Sequence, residues 1–299
     1  MSDRAAPSAP HSDLHRGAAF MVGAAFLFAA MGVMIQLSAR TLPNSMVVFL
    51  RSSLSLVLLT PWFFGRSGSS LRTVHLKEHL LRGVFGIASM YCFFYAIAHL
   101  RLADALLLNY SLPLFVPLVE RAWLGEPVPK GLWRALVLGS CGLLLVLKPG
   151  LSILRPAALV GVLAAVLAAM AQVGVRGLTR TEPVTRIVYY FGLVSSLVSL
   201  FPALHSWVTP GLTAWPALLV LGLTATVAQL LMTSAYACAP AARVGPFIYT
   251  AVVFGALFDA LIFQRWPDAL SVAGGAFVVA AGVLVLRLRS AASSSVRSP

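Results

Sequence analysis

The chain has 299 residues, of which 59% are apolar and only 10% are charged, and its formal net charge is +13. Soluble domains carry about 25% charged residues, so this composition excludes an ordinary water-soluble enzyme, a coiled coil and a disordered protein. Basic residues that bind nucleic acid lie on a polar surface, so no nucleic-acid partner is expected. The composition predicts an all-α polytopic membrane protein with its cations in the loops.

Ten apolar stretches follow one another between charged or Pro/Gly-rich breaks. Each is close to the ~20 residues that cross a bilayer as a helix, so the sequence predicts ten transmembrane helices. An even number of crossings places both termini on the same side of the bilayer. The stretches cover residues 17–37, 45–64, 81–99, 104–123, 131–148, 157–175, 187–206, 215–237, 243–263 and 268–286.

Lys and Arg are divided unequally between the two sides. With Arg51 left inside the second stretch, 16 fall on the side of the termini and 5 on the other. Cytoplasmic loops carry the excess of basic residues. The distribution therefore predicts cytoplasmic N- and C-termini in the inner (cell) membrane, with Arg82 counted among the charges on the cytoplasmic side.

The two halves of the chain repeat each other at an offset of about 140 residues. Ala-Ala-Met at 29–31 recurs at 168–170, and Tyr110 falls opposite Tyr249. Because five helices per half is an odd number, the second half enters the membrane from the opposite side, which predicts two inverted five-helix repeats. The predicted units are a cytoplasmic tail 1–16, a first repeat 17–149, a second repeat 157–287 and a cytoplasmic tail 288–299.

These features resemble a known family. Five-helix halves, Arg51 early in the second helix and the Gly-Glu-Pro break at 125–127 are similar to the EamA domain, two copies of which form a ten-helix transporter of the drug/metabolite transporter superfamily. Arg265 occupies the position in the second half that Glu126 occupies in the first, so the two halves do not share this acidic loop residue. The resemblance implies a secondary transporter without a cofactor, similar to exporters of aromatic and other amino acids, metabolites and methyl viologen.

Polar side chains inside the predicted helices are candidates for the substrate site. Such residues are rare in lipid and tend to face a bundle interior or a wet cavity. We expect them to line a midplane cavity between the repeats, where a small organic solute binds, either an amino acid, a metabolite or an organic cation. The alternative is hydrogen bonding between helices. The candidates are Tyr91, Tyr95, His99, Asn109, Tyr110, Gln172, Gln229, Thr233, Tyr236 and Tyr249.

Prolines and two charges complete the set of candidates. Pro113, Pro117 and Pro246 each remove a backbone N–H from the helical ladder, which predicts local breaks in the fourth and ninth helices that act either as hinges or as static kinks. Arg51 lies inside the second helix, and Asp104 approaches the same side of the membrane. The pair is assigned a structural role.

One motif favours a different function. His75, Glu78 and His79 form the pattern H-x-x-E-H, in which two histidines on one helical face bind zinc and the glutamate acts as a base. Zinc also needs a third protein ligand, and none stands out in the sequence. A membrane-embedded zinc hydrolase is therefore the alternative to a transporter, and a membrane scaffold without transport is the third hypothesis.

Overall fold

The computed structural model describes residues 13–38, 41–64, 71–100, 102–150, 156–264 and 266–294, and this part of the chain is helical throughout, without a β-strand. Two short 3₁₀ turns, Leu212–Ala214 and Gly245–Tyr249, join the α-helices. The helices are α1 (Leu14–Ser38), α2 (Asn44–Phe64), α3 (Leu76–His99), α4 (Leu102–Tyr110), α5 (Leu112–Leu124), α6 (Leu132–Leu147), α7 (Ala157–Leu178), α8 (Val184–His205), α9 (Trp215–Cys238), α10 (Ala241–Val244), α11 (Thr250–Phe263) and α12 (Ala269–Ser294).

The described helices cover the predicted crossings, but not every one of them is long and apolar enough to cross a membrane by itself. Seven helical stretches of the described chain are long and apolar enough to cross a membrane, and α6 is a shorter apolar helix. The first turns of α3 carry Lys77, Glu78 and Arg82, while α4 and α5 are each too short to cross alone. The protein is thus a multi-pass membrane protein, and the count of ten crossings stays a prediction.

The fourth predicted crossing is interrupted where proline predicts a break. Helix α4 ends at Tyr110 and α5 begins at Leu112, with Ser111 between them. Pro113 has no N–H to donate to the carbonyl of Asn109. The Ser111 hydroxyl donates to the carbonyl of Leu108 at 2.6 Å, which satisfies one acceptor at the break.

The ninth predicted crossing is interrupted at the matching place. Helix α10 passes into the 3₁₀ turn Gly245–Tyr249, which contains Pro246, before α11 begins. The Thr250 hydroxyl donates to the carbonyl of Phe247 at 2.7 Å. Ser111 and Thr250 align in the repeat, so both halves place a hydroxyl that bonds three residues back at the break.

The packing of the helices follows the repeat. Helix α1 packs along α9, just as α3 packs along α7, and α5 contacts α7 as α11 contacts α1. Helix α2 pairs with its counterpart α8, and α6 pairs with α12. Exchanging the two halves therefore reproduces the same set of helix pairs, as expected for two copies of one five-helix unit.

The buried core differs between the two ends of the bundle. We call the end where α1 begins the proximal end and the end where α1 finishes the distal end. One large apolar cluster runs from the proximal end, at Leu14 and Leu132, along α6 to Leu143, and it includes Met21, Leu136 and Tyr249. Among the described residues, the distal half holds two separate clusters, one around Met46 of α2 and the other around Ala96 of α3. The largest cluster thus begins at the proximal end, whereas the distal residues of α2 and α3 belong to two smaller, separate clusters.

Candidate functional site

Arg82 lies in the interior of the bundle, on the second turn of α3. Its side chain is only 5% exposed. One terminal nitrogen, Nη2, donates to Oε1 of Gln229 on α9 at 3.3 Å, and Cζ lies 3.5 Å from the ring centroid of Phe191 on α8. Gly174 of α7 faces the stem of Arg82, so that a Cβ there would lie 3.7 Å from the arginine Cβ. Arg82 of the first half therefore reaches three helices of the second half.

Arg82 was not among the candidates predicted from the sequence. The predicted stretch 81–99 begins one residue before it, and Arg82 was counted only as a charge on the cytoplasmic side, whereas helix α3 begins at Leu76 and places Arg82 in its second turn. Its Nε and Nη1 have no hydrogen-bond partner among the described residues. In the sequence, a charge at the start of an apolar run is typical of a helix end at the membrane surface. Gly86 and Ser89 follow Arg82 by four and seven residues, so the three residues lie on one face of α3. This face packs against the rest of the bundle.

Four of the predicted candidates lie on α7 and α9, two of the helices that Arg82 reaches. Gln229 accepts from Arg82, and the Tyr236 hydroxyl donates to Oε1 of Gln172. Thr233 lies one turn from Gln229 on the same face of α9; it is fully buried, and its hydroxyl has no partner among the described residues. We call Arg82, Gln172, Gln229, Thr233 and Tyr236 the interior polar cluster.

Two predicted tyrosines are packed into the proximal core. Tyr249 is fully buried, and a Cβ on Gly139 of α6 would come within 2.6 Å of its ring. Its hydroxyl lies 3.4 Å from the hydroxyl of Ser140. Tyr110 packs against the same core, and Asn109 is half-buried in α4. The structure does not bring these three residues into the interior polar cluster.

The predicted stripe on α3 lies on an exposed face. Tyr91 and Tyr95 are 38% and 47% exposed, and the ring of Tyr95 stacks on that of His99 with centroids 4.0 Å apart. Tyr91 follows Arg82 by nine residues, which is about two and a half turns of a helix with 3.6 residues per turn. The two side chains therefore lie on opposite sides of α3. The stripe shares this side of α3 with the exposed Val84, and it is therefore separate from the interior polar cluster.

Arg51 is a second cation inside the bundle. It is half-buried on α2, and its Nη1 lies 4.0 Å from the sulfur of Met90. No carboxylate of the described residues forms an ion pair with Arg51 or with Arg82. The Asp104 side chain, predicted to accompany Arg51, lies outside the described residues, so their pairing stays a prediction.

Charged contacts connect the two halves at the proximal end. Glu126, in the loop after α5, accepts from Nε of Arg176 at 3.4 Å and also from Arg180. Arg176 in turn donates through Nη1 to the carbonyl of Tyr236 at 2.8 Å. Both oxygens of the buried Glu120 accept backbone N–H groups at the start of α10, at 2.6 and 2.7 Å. The loops and helix ends at this end are thereby held together beneath the polar cluster.

A further carboxylate anchors the proximal surface. Glu182, between α7 and α8, accepts from the hydroxyl of Thr73 and from Arg186. Burial raises the pKa of this carboxyl, but the hydrogen bonds from Thr73 and Arg186 outweigh burial, and the pKa is lowered overall. At the distal end, Lys148 and Asp268 form an exposed ion pair between the end of α6 and the start of α12.

The H-x-x-E-H motif does not form a ligand set. His75 is half-exposed beside Glu78, with 3.9 Å between Nδ1 and Oε1. His79 is fully buried and stacks on the ring of Tyr190, with centroids 4.5 Å apart. No group of three potential metal ligands occurs among the described residues. The zinc hydrolase alternative therefore has no support.

Comparison with known proteins agrees with these features. The model of the EamA-like transporter family matches residues 15–148 and again residues 155–287. The pseudopaline exporter CntI of Pseudomonas aeruginosa is 34% identical, covering 92% of this chain and 98% of its own. The S-adenosylmethionine uptake transporter of Rickettsia bellii is 26% identical, and the alignment covers 80% of this chain and 82% of that transporter. The riboflavin transporter of Brucella anthropi is 27% identical, and the alignment covers 91% of this chain and 99% of that transporter.

A solved crystal structure shares the fold. It superposes with a TM-score of 0.80 at 20% identity and covers 92% of this chain and 98% of its own. The family match spans both halves of the chain, and the relatives align over most of their length. The chain belongs to the EamA-like transporter family, as a two-repeat membrane transporter of the drug/metabolite transporter superfamily.

Proposed function

We propose that this protein is a secondary transporter that exports small organic solutes, amino acids and related metabolites among them, by alternating access at a site between its two repeats. The interior polar cluster carries the proposal. It joins Arg82 of the first repeat to Gln229 of the second, with Gln172, Thr233 and Tyr236 on the same helices α7 and α9, and donors of Arg82 and Thr233 have no described protein partner. Polar groups inside a membrane protein that lack protein partners mark solute pathways, and a bound solute supplies the missing acceptors.

The two ends of the bundle support alternating access. The largest apolar cluster begins at the proximal end, where Glu120, Glu126 and Arg176 also connect the two repeats, whereas the distal residues of α2 and α3 lie in two separate clusters. In inverted-repeat transporters the two repeats exchange conformations around a fixed site. The matched breaks at Ser111 and Thr250 supply places where both repeats can bend. We assign the proximal end to the cytoplasm, so that the divided packing faces outward.

The relatives' names support a small metabolite as the substrate and favour export. The pseudopaline exporter is 34% identical over nearly all of both chains, whereas the S-adenosylmethionine uptake transporter is less similar over a smaller part. Phe191 and Tyr236 place aromatic rings at the cluster, and rings of this kind favour solutes with a flat apolar part. Arg82 disfavours the organic cations considered above, because like charges repel in a low-dielectric interior.

Solute counterflow in proteoliposomes tests the proposal. Purified protein would be reconstituted, and the exchange of labelled amino acids and related metabolites measured against liposomes without protein. Thr233→Val removes one hydroxyl from the cluster without changing the shape of the side chain, and we expect it to weaken the uptake of a transported solute several-fold. Thr224→Val is the matched control, because the Thr224 hydroxyl donates to the carbonyl of Val220 in its own helix. Equal exchange with and without protein for every solute would contradict the proposal.

A further inference from the structure

Arg82 occupies an environment that a cation tolerates poorly. Its side chain is 95% buried, and no carboxylate among the described residues forms an ion pair with it. A buried charge is strongly disfavoured unless it is paired and hydrogen-bonded. The partners that Arg82 does have are neutral, namely the Gln229 amide oxygen and the face of the Phe191 ring.

The neutral partners leave much of the guanidinium unsatisfied. A guanidinium carries five N–H donors in a planar fork that matches the two oxygens of a carboxylate. Among the described residues, only Nη2 has an acceptor, and at 3.3 Å that hydrogen bond is longer than usual. Nε and Nη1 have no partner among the described residues. An oxyanion would supply both the missing acceptors and the missing negative charge.

On two sides Arg82 is flanked by glycine, which has no side chain to pair with the guanidinium. These glycines are Gly86, one turn further along α3, and Gly174 on α7, and a Cβ on Gly86 would come within 3.0 Å of Nη1. Arg51 adds a second cation that lacks a described carboxylate partner. Two cations, Arg51 and Arg82, therefore lie inside the bundle without a described carboxylate partner.

We propose that Arg82 binds the carboxylate of the transported solute, so that the substrates of this protein are carboxylate-bearing metabolites. This inference rests on the proposed transport function. Gln229 orients the guanidinium from one side and Phe191 supports its face, which fixes the direction in which the remaining N–H groups point. The Thr233 hydroxyl is available for a second polar group of the same solute. The ligand thus neutralises a charge that the protein alone leaves uncompensated.

The test compares each acid with its uncharged amide. Wild-type protein in proteoliposomes would be offered labelled amino acids, with unlabelled L-phenylalanine, L-leucine and L-histidine and the corresponding carboxamides as competitors. We expect the acids to compete at least about tenfold better than their amides, because replacing the carboxylate removes a charge-assisted hydrogen bond. This comparison requires no variant, so it remains informative even if substitutions of Arg82 fail to fold.

Two substitutions and a control identify the responsible group. Arg82→Gln should abolish the preference for acid over amide, and Arg82→Lys should retain part of it, because the positive charge remains while the planar fork is lost. Arg134→Gln removes an exposed arginine near the start of α6 and should leave the preference unchanged. Thermal unfolding of each purified variant would show whether it is folded.

The outcomes separate the inference from the proposed function. Transport with equal competition by acids and amides would overturn the role of Arg82 and leave the transport function standing. Competition by inorganic phosphate but not by carboxylates would also overturn it, in favour of phosphorylated solutes. Absence of protein-dependent exchange for every solute would instead contradict the proposed function.

Discussion

Gly142 of α6 and Gly274 of α12 touch through their backbones. A Cβ on Gly142 would come within 2.7 Å of the carbonyl oxygen of Gly274, and a Cβ on Gly274 would come within 2.6 Å of the carbonyl oxygen of Gly142. Small residues at helix crossings allow close approach in membranes. This reciprocal contact joins the last helix of the first repeat to the last helix of the second.

Gly142→Ala should therefore destabilise the protein. The new methyl group would meet backbone rather than a movable side chain, and overpacking of this kind costs about 1–3 kcal/mol. The apparent unfolding temperature in detergent, measured with a thiol-independent dye, should fall. Gly32→Ala is the matched control in α1, because no atom lies within 4 Å of its Cβ position, and its stability should be unchanged or slightly higher. Equal unfolding temperatures for the two variants would mean that α6 and α12 can move apart without loss of stability.

The contribution of Glu182 to the stability of the folded protein should depend on pH. Its pKa is lowered in the folded protein because the hydrogen bonds from Thr73 and Arg186 outweigh burial. A carboxyl group whose pKa is lowered by folding stabilises the folded state fully at a pH above its ordinary pKa of about 4.3. This stabilisation is lost as the pH falls through the pKa of the folded state. The difference in unfolding temperature between wild type and Glu182→Gln should be constant from pH 7 to about 5 and shrink below about pH 4.

The control for this measurement is Glu78→Gln, since Glu78 is exposed near the start of α3. It should show a small difference from wild type at every pH, as exposed charges contribute little. A Glu182→Gln difference that grows on acidification would contradict the assigned role of its hydrogen bonds.

Pro113 and Pro246 should affect the rate of transport more than the affinity for solute. Alanine at either position restores an N–H, which can extend the helical ladder across the break and stiffen it. We expect lower flux in liposomes, while the solute-induced shift in unfolding temperature stays close to that of wild type. Pro61→Ala is the control, because Pro61 lies within the uninterrupted helix α2. Wild-type flux in both variants would leave these prolines as static kinks, the alternative left open by the sequence.

Tags at three positions test the orientation. Accessible tags placed after residue 5 and after residue 295 should be cytoplasmic, and a tag in the loop at 207–211 should be on the opposite side of the membrane. The basic residues support this orientation even when Arg82 is removed from the count, because 15 remain on the proposed cytoplasmic side against 5. Labelling intact and permeabilised cells would measure it. An exposed C-terminal tag on intact cells would contradict both the even number of crossings and the inverted repeat.

The fold could be predicted from the sequence more completely than the site. Helix positions follow from long apolar runs, and the break at Ser111 follows from Pro113, because both effects are local. Polar residues within apolar runs, such as Gln229 and Tyr236, could be identified as interior groups, since lipid disfavours them. Each of these inferences needs only the chemistry of a single segment.

Which face of a helix points inward is not a local property. The helices are apolar all round, so hydrophobic periodicity does not distinguish the lipid-facing side from the packed side. The aromatic stripe of Tyr91 and Tyr95 has regular helical spacing but lies opposite Arg82, since amphipathic rings also suit an exposed surface. Arg82 itself was missed because its burial depends on Gly174 and Phe191, which come from distant parts of the chain.

The large apolar cluster that begins at the proximal end also determines how the transporter meets solutes on that side. In a two-state equilibrium, a conformer that opens the proximal end must give up this packing, and every 1.4 kcal/mol of difference makes it tenfold rarer. The apparent dissociation constant from the proximal side is the intrinsic constant divided by the fraction of molecules open there. A modest loosening of the core around Met21 and Leu136 would therefore tighten apparent binding from that side, although no residue that contacts the solute has changed.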